Sequence, residues 1–260
     1  MSMMNKSKSK IGIFISSYKS MQTLPEVIDR IPANIKKSAS EIFVIDDASP
    51  DNSYKIAIAY KKRVNLPNLT IMKNTKNRGF GGNQKEAFNY AIQKGYDLII
   101  VLHGDAQYAP EELNNFIDEF EKSNSDLVYG SRMLGDPLGG GMPMWRYLGN
   151  KFLTIIQNSI LNLGLTEYHS GYRAYKCEAL KKISFNKLSN DYYFDPEILV
   201  LSKIHKFKIS EVPIPTHYGP ESLSPSIWVT FKYFLFTLKS LLDYKLHSLG
   251  LIKYKTTISD

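Results

Sequence analysis

Long apolar runs, cysteine pairs and an apolar N-terminal segment are all missing from this sequence. The only cysteine is Cys177, which excludes an internal disulfide and a cysteine-based zinc cluster. No run approaches the roughly 18 apolar residues that a membrane-spanning helix needs. The segment before Ile11 contains Lys6, Lys8 and Lys10 but no apolar core, so no signal peptide is predicted. Together these absences predict a cytoplasmic, reducing location.

The composition is that of a folded, basic protein. The 260 residues are 43% hydrophobic and 12% aromatic, which is enough for one large domain or a domain with an appendage. The formal net charge of +8 suits anionic partners such as phosphorylated substrates, an anionic membrane surface or nucleic acid. Because the basic residues are scattered and form no stripe, we expect no nucleic-acid partner.

Strand and helix patterns alternate strictly in the first half of the chain. Helical patterns separate the predicted strands, which lie at residues 11–15, 41–45, 69–72, 98–102 and 126–129. This order predicts an α/β fold with a Rossmann-like, mostly parallel sheet flanked by helices and joined by right-handed crossovers. We expect a disordered basic tail at 1–10, the α/β domain at 11–222 and an amphipathic helical extension at 223–260.

The second half departs from this alternation. A glycine- and proline-rich loop at 133–144 follows a strand end, and it is either an active-site lid or a surface linker. An aromatic helix with interspersed lysines is predicted at 227–246, too short and too charged to span a bilayer. Three placements stay open for it: peripheral membrane contact through 225–247, packing over the domain's own core, or a homodimer interface.

The stretch Asp97–Glu111 is the element around which the candidate site is organised. Its apolar run predicts a buried strand, and His103, Asp105 and Gln107 follow at the carboxyl end of that strand. Open α/β sheets bind ligands at this end of their strands. Asp105 and Gln107 supply oxygen donors that suit Mg²⁺ or Mn²⁺ together with phosphates and water. His103 reads as a metal ligand, a donor to phosphate or a structural histidine. The alternative for the whole stretch is a solvated loop that caps the next helix.

Two more turns at strand ends carry polar groups. Asp46 and Asp47 end a buried strand, where a carboxylate either accepts hydrogen bonds from a base or ribose or forms an Asx turn, with Asp51 as a helix cap. The glycine-rich segment Asn77–Gly82 opens a helix and is a candidate phosphate cradle. It lacks the spacing of a dinucleotide fingerprint or a P-loop, so both of those are disfavoured.

Arginines provide a second candidate anion site. Arg132 and Arg173 each stand beside Ser and Gly in a predicted turn, and each is either an anion clamp or a partner in a structural ion pair. Combined with the acidic and glycine-rich turns, they describe a nucleoside-diphosphate site with a divalent ion and an adjacent site for an anionic acceptor.

Ordered motifs over residues 11–215 carry a family resemblance. They are Val44–Asp51, Asn77–Gly81, Asp105–Gln107 with Pro110-Glu111, Gly130–Arg132, Ser170–Arg173 and Glu211–Ile214. In these the chain resembles family 2 glycosyltransferases of the GT-A fold, and it is most similar to the dolichyl- and polyprenyl-phosphate sugar transferase branch.

The resemblance implies a donor site. Asp47, with Asp46 nearby, would contact the base, and Asp105 with Gln107 would bind Mg²⁺ or Mn²⁺ through the diphosphate. The nucleotide-binding set that it implies is Ser17, Tyr18, Asp46, Asp47, Asn77, Gly79, His103 and Gly104.

The resemblance also implies an acceptor site and a reaction. Arg132, Arg146 and Arg173 match basic positions near the acceptor phosphate or donor diphosphate, and Asp105, Arg132 and Arg173 form the expected catalytic set. An inverting displacement at the anomeric carbon would follow. A phosphate acceptor is already anionic and needs no strong base, whereas a hydroxyl acceptor needs a carboxylate base, for which Asp105 or Asp195 is available.

The sequence departs from the family pattern at several positions. The first strand is followed by Ser16–Ser20, without the usual acidic residue, and His103 replaces the first acid of the usual Asp-x-Asp motif. Glu167 conserves the acidic character before Ser-Gly-Tyr-Arg, whereas His217–Ser222 stands where an arginine is usual.

The expected function is metal-dependent transfer of a hexose from a UDP- or GDP-sugar to a polyprenyl or dolichyl phosphate at the cytoplasmic membrane face. Three alternatives remain: transfer to a glycan or other hydroxyl acceptor, synthesis of a sugar nucleotide, and nucleotide binding without catalysis.

Overall fold

The computed structural model describes residues 9–218 and 227–254, and it contains a seven-stranded sheet flanked by helices. The strands are β1 (Ile11–Ser17), β2 (Glu41–Asp46), β3 (Leu69–Lys73), β4 (Leu98–His103), β5 (Leu127–Ser131), β6 (Arg173–Lys176) and β7 (Ile209–Pro213). The helices are α1 (Leu24–Asp29), α2 (Ala33–Ser38), α3 (Ser53–Arg63), α4 (Phe80–Gln93), α5 (Leu113–Ser123), α6 (Met144–Leu161), α7 (Cys177–Leu180), α8 (Phe194–Ile204) and α9 (Ile227–Ser248).

The sheet order is β3-β2-β1-β4-β6-β5-β7. The pairs β1–β2, β1–β4, β2–β3 and β5–β7 are parallel, and β6 runs antiparallel to both of its neighbours. The predicted α/β fold with a mostly parallel sheet is therefore confirmed. Strand β6 is the element that the sequence patterns missed. Arg173, predicted in a turn, is its first residue and pairs with Val101 and Tyr129.

The sheet separates two apolar clusters. Phe14 and Phe43 point to one face, where they meet α4 and α8, and Ile13 and Ile42 point to the other, where they meet α1 and α5. This division follows from the period of two along a strand. Strand β4 lies in the middle, and Leu98–Leu102 is buried throughout, as its unbroken apolar run predicts.

The glycine-rich segment is only partly a loop. Helix α4 already begins at Phe80, so Gly81 and Gly82 lie within its first turn, contrary to the loop predicted over residues 77–82. A Cβ atom on Gly81 would lie 2.5 Å from the backbone oxygen of Ser189 and 2.6 Å from Cβ of Phe194. The glycine therefore permits close packing of α4 against the chain that leads into α8.

Thr23 directly precedes α1, and because threonine is a preferred N-cap residue, the sequence predicts that Thr23 caps this helix. Its side chain makes no capping hydrogen bond. The hydroxyl instead donates to the backbone oxygen of Gly104 at 2.6 Å. The capping prediction is wrong, and the hydroxyl ties the start of α1 to the turn that follows β4.

The chain termini and the helical extension lie only partly within the described residues. The predicted tail over residues 1–10 falls outside them except for Ser9 and Lys10, and Lys10 donates its backbone N–H to Asp97 Oδ2 at 2.7 Å. Residues 219–226 and 255–260 also lie outside them. Helix α9 packs against α6 and α8, and Leu241 enters the core, so its inner face covers the domain. Within the described parts of the chain, no helix is long and apolar enough to cross a membrane.

Candidate active site

The candidate site lies where the parallel strands end. In the order β2-β1-β4, Ser17 pairs with Asp46 and Ser16 pairs with His103, which brings three strand ends to one edge. Because β6 runs antiparallel, its first residue, Arg173, lies near the end of β4 opposite Val101. The topology thus brings the predicted donor residues and one predicted arginine to a single edge of the sheet. In open α/β sheets, ligands bind at this edge, beyond the carboxyl ends of the strands.

The two aspartates at the end of β2 have different partners. Asp46 is fully buried, and its Oδ2 accepts the N–H of Ser49, three residues on, at 3.0 Å. Asp51 Oδ1 accepts the Ser53 N–H, two residues on, at 3.0 Å and forms an Asx turn; the N-cap position of α3 is Asn52, so the cap predicted at Asp51 is wrong. Asp46 Oδ1 is buried without a hydrogen-bond partner in the described structure, so one polar atom at this edge is unsatisfied.

Asp47 holds the glycine-rich loop in place. Its Oδ1 accepts the Arg78 N–H at 2.9 Å, its Oδ2 accepts the Gly79 N–H at 2.9 Å, and its backbone oxygen accepts the Asn77 side-chain amide at 3.1 Å. Gly79 has a φ of 78°, which favours glycine. Asp47 therefore occupies two backbone N–H groups of the segment predicted to cradle phosphate. This segment does not form the predicted cradle through those groups.

The turn after β1 is packed internally. Ser17 is buried and its hydroxyl lies 2.7 Å from that of Ser20, while Tyr18 is exposed. Ser20, at the position that is usually acidic, donates its backbone N–H to the Ser53 hydroxyl at 2.9 Å. Gly104 donates its backbone N–H to the Ser16 oxygen at 2.9 Å. Of these residues, Tyr18 presents an exposed side chain at the edge.

His103 is held by packing. A Cβ atom on Gly171 would lie 2.6 Å from its Cε1 and 2.8 Å from its Nε2, so the ring rests against the Gly171 backbone. Phe80 and Tyr108 meet the ring edge-on, with centroids 5.7 Å and 5.1 Å away. Nε2 is buried and has no hydrogen-bond partner among the described residues, and burial lowers the pKa of the imidazole. A neutral, packed ring fits the structural interpretation of His103.

Asp105 and Gln107 form the turn beyond β4. Asp105 Oδ1 accepts the Gln107 N–H at 3.1 Å, and Ala106 between them has a φ of 59°. Within residues 9–218 and 227–254, no three His, Cys, Asp or Glu side chains are grouped to hold a metal ion. One carboxylate and one amide oxygen fit a Mg²⁺ or Mn²⁺ ion that takes most of its ligands from phosphate and water.

A distant segment crosses this turn. The Gln107 oxygen accepts the His217 N–H at 3.2 Å, and Tyr108 forms an isolated antiparallel bridge with Thr216. The next residue, Tyr218, donates its backbone N–H to the Gly140 oxygen at 3.0 Å. Residues 216–218 therefore connect the Asp105 turn to the 133–144 loop, which is folded into consecutive turns.

Arg132 and Arg146 meet at Tyr218. Arg132 Nη1 donates to the Tyr218 hydroxyl at 2.8 Å, and the Arg146 guanidinium lies 5.7 Å from the centre of the Tyr218 ring. Arg146 also lies 5.3 Å from the Trp145 ring. The tyrosine, which sequence reasoning did not single out, thus joins two of the three predicted acceptor arginines.

Arg132 is also half of a buried ion pair. Glu167 is fully buried and accepts the Arg132 N–H at 2.8 Å, a guanidinium nitrogen of Arg132, and the Asn150 amide at 2.7 Å. Burial opposes both charges, yet each partner keeps the other charged. The pKa of Glu167 lies below its ordinary value and that of Arg132 well above its own. The ion-pair interpretation therefore holds for Arg132, together with its contact to Tyr218.

Arg173 lies beneath the site and is only 1% exposed. Its Nη1 lies 3.1 Å from Asp195 Oδ1, its Nε donates to the Ser170 oxygen at 2.8 Å, and its Nη2 donates to the Tyr129 hydroxyl at 3.2 Å. Burial opposes its charge, but Asp195 keeps the pKa of the guanidinium well above its ordinary value. These contacts enclose Arg173 in a structural network.

An aromatic pair borders the site and was missed by sequence reasoning. Phe80 stacks on Tyr192 with ring centroids 5.1 Å apart, and Tyr192 is 45% exposed. Burial raises the pKa of Tyr192, and the nearby charge of Asp105 adds to that effect. The local sequence gives no motif for Tyr192, because its place beside Asp105 depends on how α8 packs against α4.

Similarity to known proteins points in the same direction. The family model of Glycosyl transferase family 2 matches residues 12–184. A UDP-N-acetylglucosamine–dolichyl-phosphate N-acetylglucosaminyltransferase of Methanococcus voltae is 26% identical over 236 residues, covering 86% of this chain and 93% of that protein. The polyprenol monophosphomannose synthase of Mycolicibacterium smegmatis is 28% identical over 207 residues, covering 78% of this chain and 75% of that protein.

Solved structures share the fold. The glucosyl-3-phosphoglycerate synthase of Mycobacterium tuberculosis, crystallised with Mn²⁺, UDP and glucosyl-3-phosphoglycerate, matches with a TM-score of 0.65 at 13% identity. The match covers 95% of this chain and 82% of that one. The protein belongs to glycosyl transferase family 2 and has the GT-A fold, as its motifs predicted.

Proposed function

We propose that this protein transfers a hexose, with inversion, from a UDP- or GDP-sugar to a polyprenyl or dolichyl phosphate. The observation that carries the proposal is the segment 216–218. It bonds to the Asp105 turn at one end and places Tyr218 between Arg132 and Arg146 at the other. A donor-side carboxylate and two acceptor-side cations are thereby held in one framework, as transfer between two phosphorylated substrates requires.

On the donor side, Asp105 and Gln107 would hold Mg²⁺ or Mn²⁺ against the diphosphate. The ion supplies stabilisation of the leaving diphosphate. The Asx turn at Asp105 fixes the direction of the carboxylate, and Asp47 fixes the neighbouring loop. The Phe80–Tyr192 pair would border the donor and exclude water from it.

On the acceptor side, Arg146 would hold the lipid phosphate, and Arg132, enclosed in its ion pair with Glu167, would hold Tyr218 in place beside it. Arg146 is partly exposed on the first turn of α6, and the Tyr218 ring orients its guanidinium. Arg173 would act as a positioning residue, because it is enclosed and bonds to the Ser170 oxygen. A phosphate oxygen is already anionic, so the attack requires no general base from the chain.

The same proposal places the enzyme at the cytoplasmic face of a membrane. The acceptor lipid lies in a bilayer, and the net charge of +8 suits an anionic surface. The helix predicted for contact, residues 225–247, corresponds to α9 from Ile227 onward.

The first test is Asp105→Asn assayed with radiolabelled UDP- and GDP-sugars and a polyprenyl phosphate. Loss of a preorganised charge at the leaving group is expected to lower kcat by about 10²- to 10³-fold. Asp118→Asn, which changes an exposed carboxylate on α5, serves as the matched control and should keep full turnover. Calorimetric titration with UDP and GDP, with and without Mn²⁺, identifies the base and shows whether binding needs the ion. Undiminished turnover by Asp105→Asn would overturn the proposal.

A further inference from the structure

Helices α6 and α9 are neighbours whose exposed faces carry large apolar side chains. Their buried faces carry several polar side chains: Asn150, Thr154 and Gln157 on α6, and Thr237 and Ser240 on α9. Their exposed faces carry large apolar side chains: Met144, Trp145, Leu148, Phe152 and Ile155 on α6, and Trp228, Phe231, Leu235, Phe236 and Leu242 on α9. A helix on the surface of a protein in water usually exposes charged and polar side chains instead.

Three of these buried polar side chains have specific partners. Asn150 donates to Glu167 at 2.7 Å, Thr237 donates to the Tyr233 backbone oxygen at 2.8 Å, and the Ser240 and Tyr254 hydroxyls lie 2.6 Å apart. The Asn150–Glu167 bond and the burial of Leu153 and Leu241 show which face of each helix points inward. The apolar outer faces are therefore a settled feature of the fold.

The outer faces are continuous stripes. On α9, Trp228, Phe231 and Leu235 recur at spacings of three and four residues, so they share one side of the helix. On α6, Leu148, Phe152 and Ile155 recur in the same way. Phe152 is 57% exposed, Ile155 67% and Trp228 74%. Contact of so much apolar surface with water is unfavourable, and such patches usually mark interaction sites.

We infer that the outer faces of α6 and α9 dock together onto an anionic lipid bilayer. The stripes supply apolar side chains that insert between lipids, and both tryptophans of the chain, Trp145 and Trp228, belong to them. The exposed Lys232 and Lys245 on α9 are available to anionic headgroups, and the net charge of +8 adds to this attraction. Charge complementarity thus favours a bilayer over a second copy of this basic chain.

This docking surface begins at the candidate acceptor site. Trp145 belongs to the α6 stripe, and the next residue, Arg146, lies over the Tyr218 ring that contacts Arg132. A bilayer against α6 would therefore present its phosphate layer beside these arginines. This part of the inference, the delivery of a lipid phosphate, rests on the proposed function.

The test is co-sedimentation of the full chain with vesicles of phosphatidylcholine, with and without phosphatidylglycerol, in the absence of sugar nucleotide and acceptor lipid. We expect binding to the anionic vesicles and a blue shift of tryptophan fluorescence, since the chain contains only Trp145 and Trp228. Phe152→Ser with Ile155→Ser, and separately Phe231→Ser with Leu235→Ser, should each weaken binding by about tenfold or more. Leu134→Ser with Leu138→Ser changes exposed leucines outside the stripes and should leave binding unchanged.

The other outcomes overturn the docking inference. Failure of the wild-type chain to bind anionic vesicles would refute it, and so would equal binding by the stripe variants. A stable dimer in light scattering that the stripe variants dissociate would assign the surface to self-association instead. Calorimetric UDP or GDP binding and transfer to a short-chain, water-soluble polyprenyl phosphate are measured on the same variants. Vesicle binding without transfer refutes only the proposed function, and transfer without vesicle binding refutes only the docking.

Discussion

The substitution Glu167→Gln removes one charge from the buried pair that fixes Arg132. The carboxylate of Glu167 receives three donors: the Arg132 backbone N–H, the Arg132 guanidinium and the Asn150 amide. Glutamine keeps the size of the side chain and one acceptor oxygen. Its amide group, however, turns two hydrogens toward donors that need an acceptor, and it leaves the Arg132 charge without a counterion.

The magnitude follows from these contacts. Removing one partner of a buried ion pair costs about 3 to 5 kcal/mol, because the remaining charge is desolvated and uncompensated. Glutamine retains one acceptor, and Arg132 retains its bond to Tyr218 at 2.8 Å, so the lower end of that range applies. With a urea m-value of about 3 kcal/mol per M, a loss of about 3 kcal/mol lowers the urea midpoint by about 1 M.

Urea denaturation monitored by circular dichroism measures this midpoint. Glu121→Gln, at an exposed position of α5, is the matched control and should leave the midpoint within about 0.3 M of the wild type. Replacing both partners, with Arg132→Met and Glu167→Leu together, should recover much of the loss, because no buried charge then remains. A midpoint for Glu167→Gln as close to the wild type as that of the control would refute the ion-pair argument.

Two further expectations concern the donor loop and a buried histidine. Asp47→Asn places an amide hydrogen against the Arg78 or Gly79 N–H, and we expect the loosened loop to weaken UDP or GDP binding about tenfold. Unchanged affinity in calorimetry would contradict the clamp. Burial lowers the pKa of His169 to about 3, so the unfolded chain binds a proton below pH 6.5 that the folded chain does not. The stability that neutral His169 contributes is complete above pH 6.5 and is lost as the pH falls. The wild type should therefore lose about 2 kcal/mol more than His169→Gln between pH 7.5 and 5, measured by urea unfolding at each pH; equal losses would show that His169 is not the source.

The sequence by itself determined the class of fold and the position of most elements along the chain. The period of two in strands and of 3.6 in helices depends on near neighbours, so the alternation from Ile11 to Tyr129 was readable directly. The placement of Asp46, Asp105 and Arg132 at strand ends followed from the same pattern, because parallel strands end at one edge. Ordered motifs were sufficient to identify the glycosyltransferase family.

Strand β6 escaped prediction because it contains only Arg173–Lys176 and carries charges at both ends. Such a segment has too few residues to show a period. It is a strand because β4 and β5 leave a gap that it fills with antiparallel pairs. Of the two interpretations of Arg173, an anion clamp or a structural ion pair, the burial of β6 supports the second, because the guanidinium pairs with Asp195.

Only the tertiary structure decided which partner each polar group uses. Asp47 forms hydrogen bonds with residues about thirty positions away in the sequence. Arg132 bonds to Glu167, 35 positions away, and to Tyr218, 86 positions away. Helical periodicity likewise showed that α9 is amphipathic without showing which side faces inward. The physical reason is that a local pattern records the side chains on a face, whereas hydrogen bonds and burial depend on segments that only the folded chain brings together.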